Sequence, residues 1–455
     1  SPKGIKGAYY AEFGWVGAGG IAVPDQNTLW KANRSFLSPE QPVVLTWDNN
    51  AGLLFTKTFS IDDNFMFKVV QSVKNSTSRE VAVNAYGFIS RGGTPKTTGF
   101  YILHEGLLGV SQGTLSEIDY DDIKDKGQIK LNGLGGWVGI TDKYWLTALV
   151  PNQRENLQSR FLHHKHGPED KFQVDYLGSQ KIISGGQTLS ETSHFFAGAK
   201  EVLLLDAYEK KLGVDRFDLA IDFGWFYFLT KPIFYALLWL NERVLNLGLA
   251  IIILTVGIKL ALFPLANKSY TSMSKMKKLH PQMTKLRERF GDDKMKLNQE
   301  MMALYKKEKV NPASGCLPIL VQIPVFFALY KVLFVCIEMR HAPFFGWIQD
   351  LSAPDPTSIF NLFGLLPFTP PDFLMIGVWP LIMGLTMWLQ QKLNPQPTDP
   401  VQAKVFMFLP IIFTFLLATF PAGLVIYWAW NNALSILQQW FIMRRMGIKG
   451  KDALK

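Results

Sequence analysis

The chain has 455 residues, 47 basic against 37 acidic side chains for a formal net charge of +10, and two cysteines. That length accommodates more than one domain, and so few cysteines exclude a scaffold held together by a disulfide framework. The positive excess does not by itself indicate nucleic acid, because twelve of the basic residues crowd a single stretch, 268–314, between apolar runs.

Residues 1–205 have the texture of strands. Phe65, Phe67 and Val69 repeat at period two. Val81-Ala82-Val83-Asn84-Ala85 and Phe172-Gln173-Val174-Asp175-Tyr176 alternate apolar with polar, as strands buried on one face do. Turn signals at Asp48-Asn49-Asn50-Ala51-Gly52, Arg91-Gly92-Gly93 and Ser184-Gly185-Gly186 punctuate these runs, as in an all-β sandwich or barrel. The region is large enough for its own core and contains no cysteine, so it must be stable without disulfides. His163-His164-Lys165-His166 lies in a polar turn region without the ligand spacing of a known metal site, and no metal is expected there.

A linker, 206–246, follows. Its stretch 223–244 (FGWFYFLTKPIFYALLWLNERV) mixes aromatic anchors with Lys231, Pro232, Glu242 and Arg243, which suits an amphipathic helix lying in the outer interface of the membrane; the rival reading, a sixth span, would put the β domain on the cytoplasmic side, against the loop charges. Beyond it, 247–445 reads as a helical membrane core with five spans, at about 247–266, 315–337, 373–389, 405–420 and 424–442. Read as one helix, 405–442 would be about 57 Å long, more than a bilayer needs, and Phe420-Pro421-Ala422-Gly423 supplies the break. Cys316 and Cys336 both fall on the second span, about 30 Å apart if helical, too far to bridge.

Loop charges set the orientation. The basic segment 267–314 should be cytoplasmic, as should the tail 446–455 with Lys449, Lys451 and Lys455. The connection 338–372 has Arg340 against Glu338, Asp350, Asp355 and Asp372 and should lie outside, with the β domain. An exported β domain needs a route across the membrane, so an N-terminal anchor or signal is expected upstream of Ser1.

Segment 267–314 is itself patterned. Met273, Met276, Leu279, Met283, Leu286 and Phe290 recur every three or four residues, Gly291-Asp292-Asp293 marks a turn, and Met295, Met301, Met302, Leu304 and Tyr305 form a second helical stretch. The pattern predicts a basic helical hairpin. Its methionines, Met273, Met276, Met283, Met295, Met301 and Met302, either form an adaptable docking surface or hold the two helices together.

Lys259 is the only ionisable residue in the first span, and charge at that depth usually marks a functional site. The alternative is snorkelling, since it lies about 10 Å from the end of that span. No Gly-x-x-x-x-Gly-Lys-Ser/Thr phosphate loop is present, so ATP hydrolysis is not indicated and no cofactor is expected. A secondary transporter would show internal repeats and broken helices, and no repeat is evident in these spans.

The run 254–276 (LTVGIKLALFPLANKSYTSMSKM), Gly291-Asp292-Asp293 through Glu300-Met301-Met302-Ala303-Leu304-Tyr305, Val310-Asn311-Pro312, Gly315-Cys316, Pro318, Gln322, Pro324, and Phe420-Pro421-Ala422-Gly423-Leu424 with Tyr427 together resemble the YidC/Oxa/Alb family of membrane protein insertases. The likeness covers 223–445, and the large β domain is similar to that of the Gram-negative bacterial form. The resemblance implies an inner-membrane protein without enzymatic activity. Its periplasmic domain would be an all-β supersandwich similar to sugar mutarotases, ahead of the five-span bundle and cytoplasmic hairpin. It also implies a hydrophilic groove, open to the cytoplasm and to lipid, with one positive charge that is usually arginine and here falls on Lys259. Thr255, Tyr427 and Trp428 match other groove positions; Gln322, Asn431 and Asn432 could line the same groove or simply bond helix to helix. Implied partners are nascent membrane proteins, the lipid bilayer, components of the Sec translocon, and ribosomes or targeting factors at the hairpin and tail.

Overall fold

The computed structural model describes residues 7–97, 99, 103–291, 293–308, 317–368, 370–371, 374–394 and 400–445. Val310-Asn311-Pro312, Gly315-Cys316, the first residue of the expected third span and the tail 446–455 lie outside the described residues. The chain divides into two compact units, Ser1–Asp222 with Val335–Ile337, and Phe223–Phe334 with Glu338–Lys455.

The first unit contains strands β1 (Tyr9–Gly17), β2 (Lys31–Ala32), β3 (Val43–Asp48), β4 (Leu53–Ile61), β5 (Met66–Asn75), β6 (Val81–Gly92), β7 (Gly106–Ser111), β8 (Thr114–Asp119), β9 (Gln128–Leu134), β10 (Trp137–Thr141), β11 (Trp145–Val150), β12 (Asn156–His166), β13 (Glu169–Leu177), β14 (Lys181–Ile183) and β15 (Thr188–Ala199), with helices α1 (Tyr120–Lys126) and α2 (Val202–Leu212). They form a six-stranded sheet, β1-β6-β13-β12-β9 with β14 also on β6, and a nine-stranded sheet, β2-β3-β4-β5-β15-β11-β10-β7-β8. Alternation decides which faces meet. Along β6, Val81, Val83, Ala85 and Ile89 turn inward, while Ala82, Asn84, Tyr86 and Phe88 stay partly exposed. Phe161, Phe172 and Val174 of one sheet pack with Val69, Leu107, Val138 and Ile140 of the other, so the core lies between two layers. Phe65, expected to begin the period-two run of β5, instead occupies the left-handed position of the β4–β5 turn (φ 64°), where its N–H donates to Asp62 O at 3.3 Å. His163 is a sandwich residue; its Nε2 hydrogen-bonds Asp170 Oδ1 at 2.9 Å.

Lys200, just past β15, is buried, and its Nζ donates to Thr141 Oγ1 at 2.7 Å. Burial lowers its pKa from 10.5 to about 8, against the raising influence of Asp222, Asp142, Glu105 and Cys336. Lys57, whose ammonium donates to Phe13 O and lies 4.5 Å from the Trp30 ring, is lowered to about 8 by the same cause. Between pH 8 and 10 the unfolded chain keeps these protons while the folded chain sheds them, so stability should rise with pH in that window. Above pH 10 the trend should reverse, because burial pushes Tyr9 and Tyr86 up to about 12 and only the unfolded chain ionises them at first. Lys200→Met should remove on the order of 2 kcal/mol of the rise. Urea unfolding followed by near-ultraviolet circular dichroism at stepped pH checks this, and an unchanged slope in the variant would refute it.

The second unit contains α3 (Tyr227–Val244), α4 (Leu247–Ala261), α5 (Phe263–Phe290), α6 (Lys294–Lys307), α7 (Leu317–Val335), α8 (Val378–Leu393), α9 (Pro400–Leu417) and α10 (Ala422–Arg445). In α3, Ile233, Phe234 and Leu237 are buried, while Phe228, Tyr235 and Trp239 face outward, with the Arg243 guanidinium 3.8 Å from the Trp239 ring. Asn246 caps α4 by accepting from Leu249 N at 2.9 Å. The expected span 247–266 is not one helix. It breaks at Leu262, and α4 and the first part of α5 make an angle of 67°. Pro264 has no N–H to continue the α4 ladder and fits instead in the first turn of a new helix. Among the described residues no single helix is long and apolar enough to cross a membrane; the bent pair Leu247–Ala261 and Phe263–Leu279 passes together, and Leu320–Val335 and Ala403–Leu417 are shorter apolar helices.

Other boundaries also differ from expectation. Cys336 lies just beyond α7 and is buried, rather than on the span itself. The stretch expected to begin the third span at 373 is loop up to Gly377, because Ile376 is engaged with Leu374 and Ile359 through backbone bonds of 2.8 and 3.1 Å. Helix α8 starts at Val378 and passes so close to α9 that a Cβ on Gly384 would collide with Thr414 Oγ1. The break between α9 and α10 falls at 418–421, and the first free N–H groups of α10 donate outward, Ala422 to Ala353 O at 2.7 Å and Gly423 to Leu351 O at 2.9 Å.

In the segment expected to be a hairpin, α5 and α6 pack together, and Asp293 caps α6 through Lys296 N at 3.0 Å; Asp292 lies outside the described residues. The segment's methionines divide. Met283 is buried with Leu279, and Met276, Met301, Leu304 and Tyr305 pack around them. Met273 is buried with Ala266, Tyr270 and Ile442. Met273, Met276, Met283 and Met301 thus lie along the inner stripe of the helices, which favours their holding the helices together. Met295 and Met302 alone of the six are exposed.

Candidate functional site

Three helices of the second unit bring polar groups together. From α4, Lys259 extends Nζ to Ser435 Oγ of α10 at 2.7 Å and to Gln322 Oε1 of α7 at 3.3 Å. Ser435 Oγ donates in turn to Asn431 O at 2.8 Å. Gln438 Nε2 donates to Lys259 O at 3.2 Å, satisfying a carbonyl near the end of α4. Thr255, one turn earlier, is buried and folds its hydroxyl back onto Ile251 O at 2.7 Å.

These groups border a cleft of about 530 Å³, including its open mouth, lined by Thr255, Lys259, Gln322, Tyr427, Asn431 and Gln438 among apolar neighbours. Both partners of the Lys259 ammonium are neutral, and among the described residues no carboxylate pairs with it. An unneutralised cation in a partly apolar pocket attracts anions strongly, because little dielectric screening intervenes. Among the described residues the second unit holds no cluster of metal-ligating groups.

Comparison with known proteins assigns this architecture. Residues 1–236 match the family described as the YidC periplasmic domain, and residues 239–449 the one described as the 60Kd inner membrane protein. A "Membrane protein insertase YidC" from Methylobacterium nodulans is 53% identical over 459 residues, covering 99% of this chain and 76% of its own length. The chain belongs to the YidC family. A relative of the same description from Rickettsia canadensis is 52% identical, covering 97% of this chain and 79% of its own. A solved structure titled "Active YidC insertase crystal structure with the first transmembrane domain resolved" aligns over 93% of this chain and 82% of that one, at 18% identity and a TM-score of 0.39. The family is one of inner-membrane proteins with a periplasmic domain, and here a β-sandwich precedes the helical region.

Within this YidC-family core, five of the seven residues singled out from sequence, Lys259, Thr255, Gln322, Tyr427 and Asn431, share the cleft. Trp428 and Asn432 do not. Trp428 meets Phe326 edge-on at 4.8 Å and Phe413 at a tilt at 5.4 Å, and Asn432 Nδ2 donates to Thr386 Oγ1 of α8 at 3.4 Å. They are one position further round α10 than Tyr427 and Asn431, and that step of about 100° turns Trp428 to Phe326 of α7 and Phe413 of α9, and Asn432 to α8. Sequence reading missed Ser435 and Gln438. The signal was present, since Tyr427, Asn431, Ser435 and Gln438 recur at spacings of four, four and three along one face.

Proposed function

We propose that this chain inserts newly made proteins into the bacterial inner membrane, with the Lys259 cleft as its working element. The observation that carries the reading is the Lys259 ammonium held by Ser435 and Gln322 with no carboxylate beside it among the described residues. A hydrophilic client segment entering such a cleft keeps polar partners over part of its path, so the dehydration that opposes its crossing is reduced without fuel. Acidic residues in that segment are drawn to Lys259, while the apolar part of the client moves into lipid. A potential of 100 mV, positive outside, adds about 2.3 kcal/mol per negative charge moved outward.

In this reading the β-supersandwich is periplasmic, five spans near 247–266, 315–337, 373–389, 405–420 and 424–442 cross the bilayer, and the α5–α6 hairpin and C-terminus are cytoplasmic. The positive-inside distribution supports that orientation. The elbow at Leu262 limits the straight part of the first span to α4. The exposed Met295 and Met302, with the basic residues around them, would meet ribosomes, targeting factors or emerging chains, and Sec translocon components would be partners for larger clients.

The test is a charge exchange in the client. In unpolarised vesicles, a single-span client with acidic residues in its translocated segment should become protease-protected about tenfold faster than the same client carrying lysines there. Equal rates would remove the cleft charge from the mechanism.

A further inference from the structure

Between α7 and α8, the segment from Phe360 to Phe368 forms a compact loop with an apolar exterior. Phe360, Leu362, Phe363, Leu365, Leu366 and Phe368 are all exposed, Leu365 at 83%. The sequence 356–371 contains no ionisable residue. Several side chains this large exceed what a soluble surface ordinarily leaves in water.

The loop is built rather than frayed. Leu362 and Phe363 are consecutive left-handed residues (φ 51° and 59°), a costly conformation for bulky side chains that persists only where the surroundings impose it. The imposing bonds are Phe363 N to Ser358 O at 2.7 Å, Leu366 N to Asn361 O at 3.0 Å, Phe368 N to Leu366 O at 2.9 Å and Asn361 Nδ2 to Phe368 O at 3.3 Å. Ser358, fully buried, pins the base through Leu374 O at 3.0 Å. The backbone thus satisfies much of its own hydrogen bonding inside the loop and turns side chains outward. That combination suits a medium without water.

We infer that this loop is a lipid-inserting wedge, with its phenylalanines and leucines in the acyl boundary of the outer leaflet. The inference rests on the topology proposed above, which puts the α7–α8 connection outside. Lipid is favoured over a protein partner because the loop runs on directly into α8, whose Leu381, Ile382 and Leu385 are exposed as well, and because residues 356–371 carry no charge for a polar partner to read. Several buried aromatic and aliphatic side chains give such a wedge enough apolar area to hold a loop at the interface.

A single cysteine decides it. In the full chain with Cys316 and Cys336 replaced by serine, Leu365→Cys and separately Leu385→Cys are labelled with an environment-sensitive fluorophore and reconstituted into phosphatidylcholine–phosphatidylglycerol vesicles. The wedge predicts blue-shifted emission at both positions. It also predicts that residue 365 is quenched severalfold more by lipid carrying the quencher near its headgroup than by aqueous iodide. Iodide quenching at 365 with lipid quenching at 385 would overturn the wedge while leaving the membrane reading of α8 intact. Iodide quenching at both would overturn the wedge together with the topology beneath it.

Discussion

Replacing Lys259 with glutamate is expected to slow insertion of an acidic client about a hundredfold, equivalent to about 3 kcal/mol, because attraction becomes repulsion at short range in a weakly screened site. Lys259→Ala should fall between glutamate and wild type, since it removes the attraction without adding repulsion. Lys259→Arg should retain most activity, because the guanidinium keeps the charge and offers more donors to Ser435 and Gln322. The fold should tolerate all three: a glutamate at 259 can accept from the Ser435 hydroxyl once that turns away from Asn431 O and, with the amide turned over, from Gln322. Protease protection in vesicles, normalised to reconstituted protein, gives the order. With the lysine-bearing client the preference should invert, Lys259→Glu outperforming wild type. That inversion separates charge from damage, and if all four proteins insert both clients equally, Lys259 is a bystander.

The largest loss of stability is expected from Asp355→Ala. This carboxylate is buried, with 2% of its surface exposed, and it gathers four donors: Trp347 Nε1 at 3.1 Å, Thr357 N at 3.0 Å, Thr357 Oγ1 at 2.7 Å and, through its other oxygen, Trp379 N at 2.9 Å. Trp379 lies in the first turn of α8, so the side chain acts as a cap delivered from a distant loop, and negative charge there is favoured by the helix dipole. A Cβ on Gly377 would collide with this carboxylate, which shows how closely the backbone is drawn around it. Alanine would orphan four donors and should cost on the order of 5 kcal/mol. Asp355→Asn should cost less, because one oxygen survives to serve Trp347 and Thr357 while the amide nitrogen confronts the Trp379 N–H. Thermal unfolding in detergent should rank wild type above asparagine above alanine, with loop 341–368 cleaved first by protease in the alanine variant. Indistinguishable melting of wild type and Asp355→Ala would show that the cap is dispensable.

What could be read in the sequence follows from which forces are local. Period-two alternation marked β6 and β13, since the face a strand buries is written in its own side chains. A charge in an apolar run marked Lys259 for the same reason. Tertiary choices were less visible. Trp428 and Asn432 are as polar or aromatic as their neighbours Tyr427 and Asn431, and only the rotational phase of α10 against α4, α7 and α8 separates the two pairs. Ser435 is too small to register in an average of hydropathy, yet it makes the shorter bond to Lys259. The break at Leu262 was masked because hydrophobicity continues across it, and Pro264 compels a bend only once α5 has a separate surface on which to pack. The methionines, equally fit for a docking surface or an interior, were assigned by the meeting of α5 with α6 and α10.

The elbow at Leu262 bears on how motion travels. Helix α5 has 28 residues, about 42 Å of rod, and its first turns are clamped to α10 where Ala266, Tyr270 and Met273 meet Ile442. Beyond Met273 an arm of about 26 Å projects away from that clamp. Swinging the arm by about 5° carries its tip about 2 Å, while the clamped turns stay in place. The clamped turns also border the Lys259 cleft, through Ala266 and Tyr270, while the Lys259 carbonyl is tied separately to Gln438. The clamp on α10 therefore stands between the arm and the wall of the cleft that holds the charge.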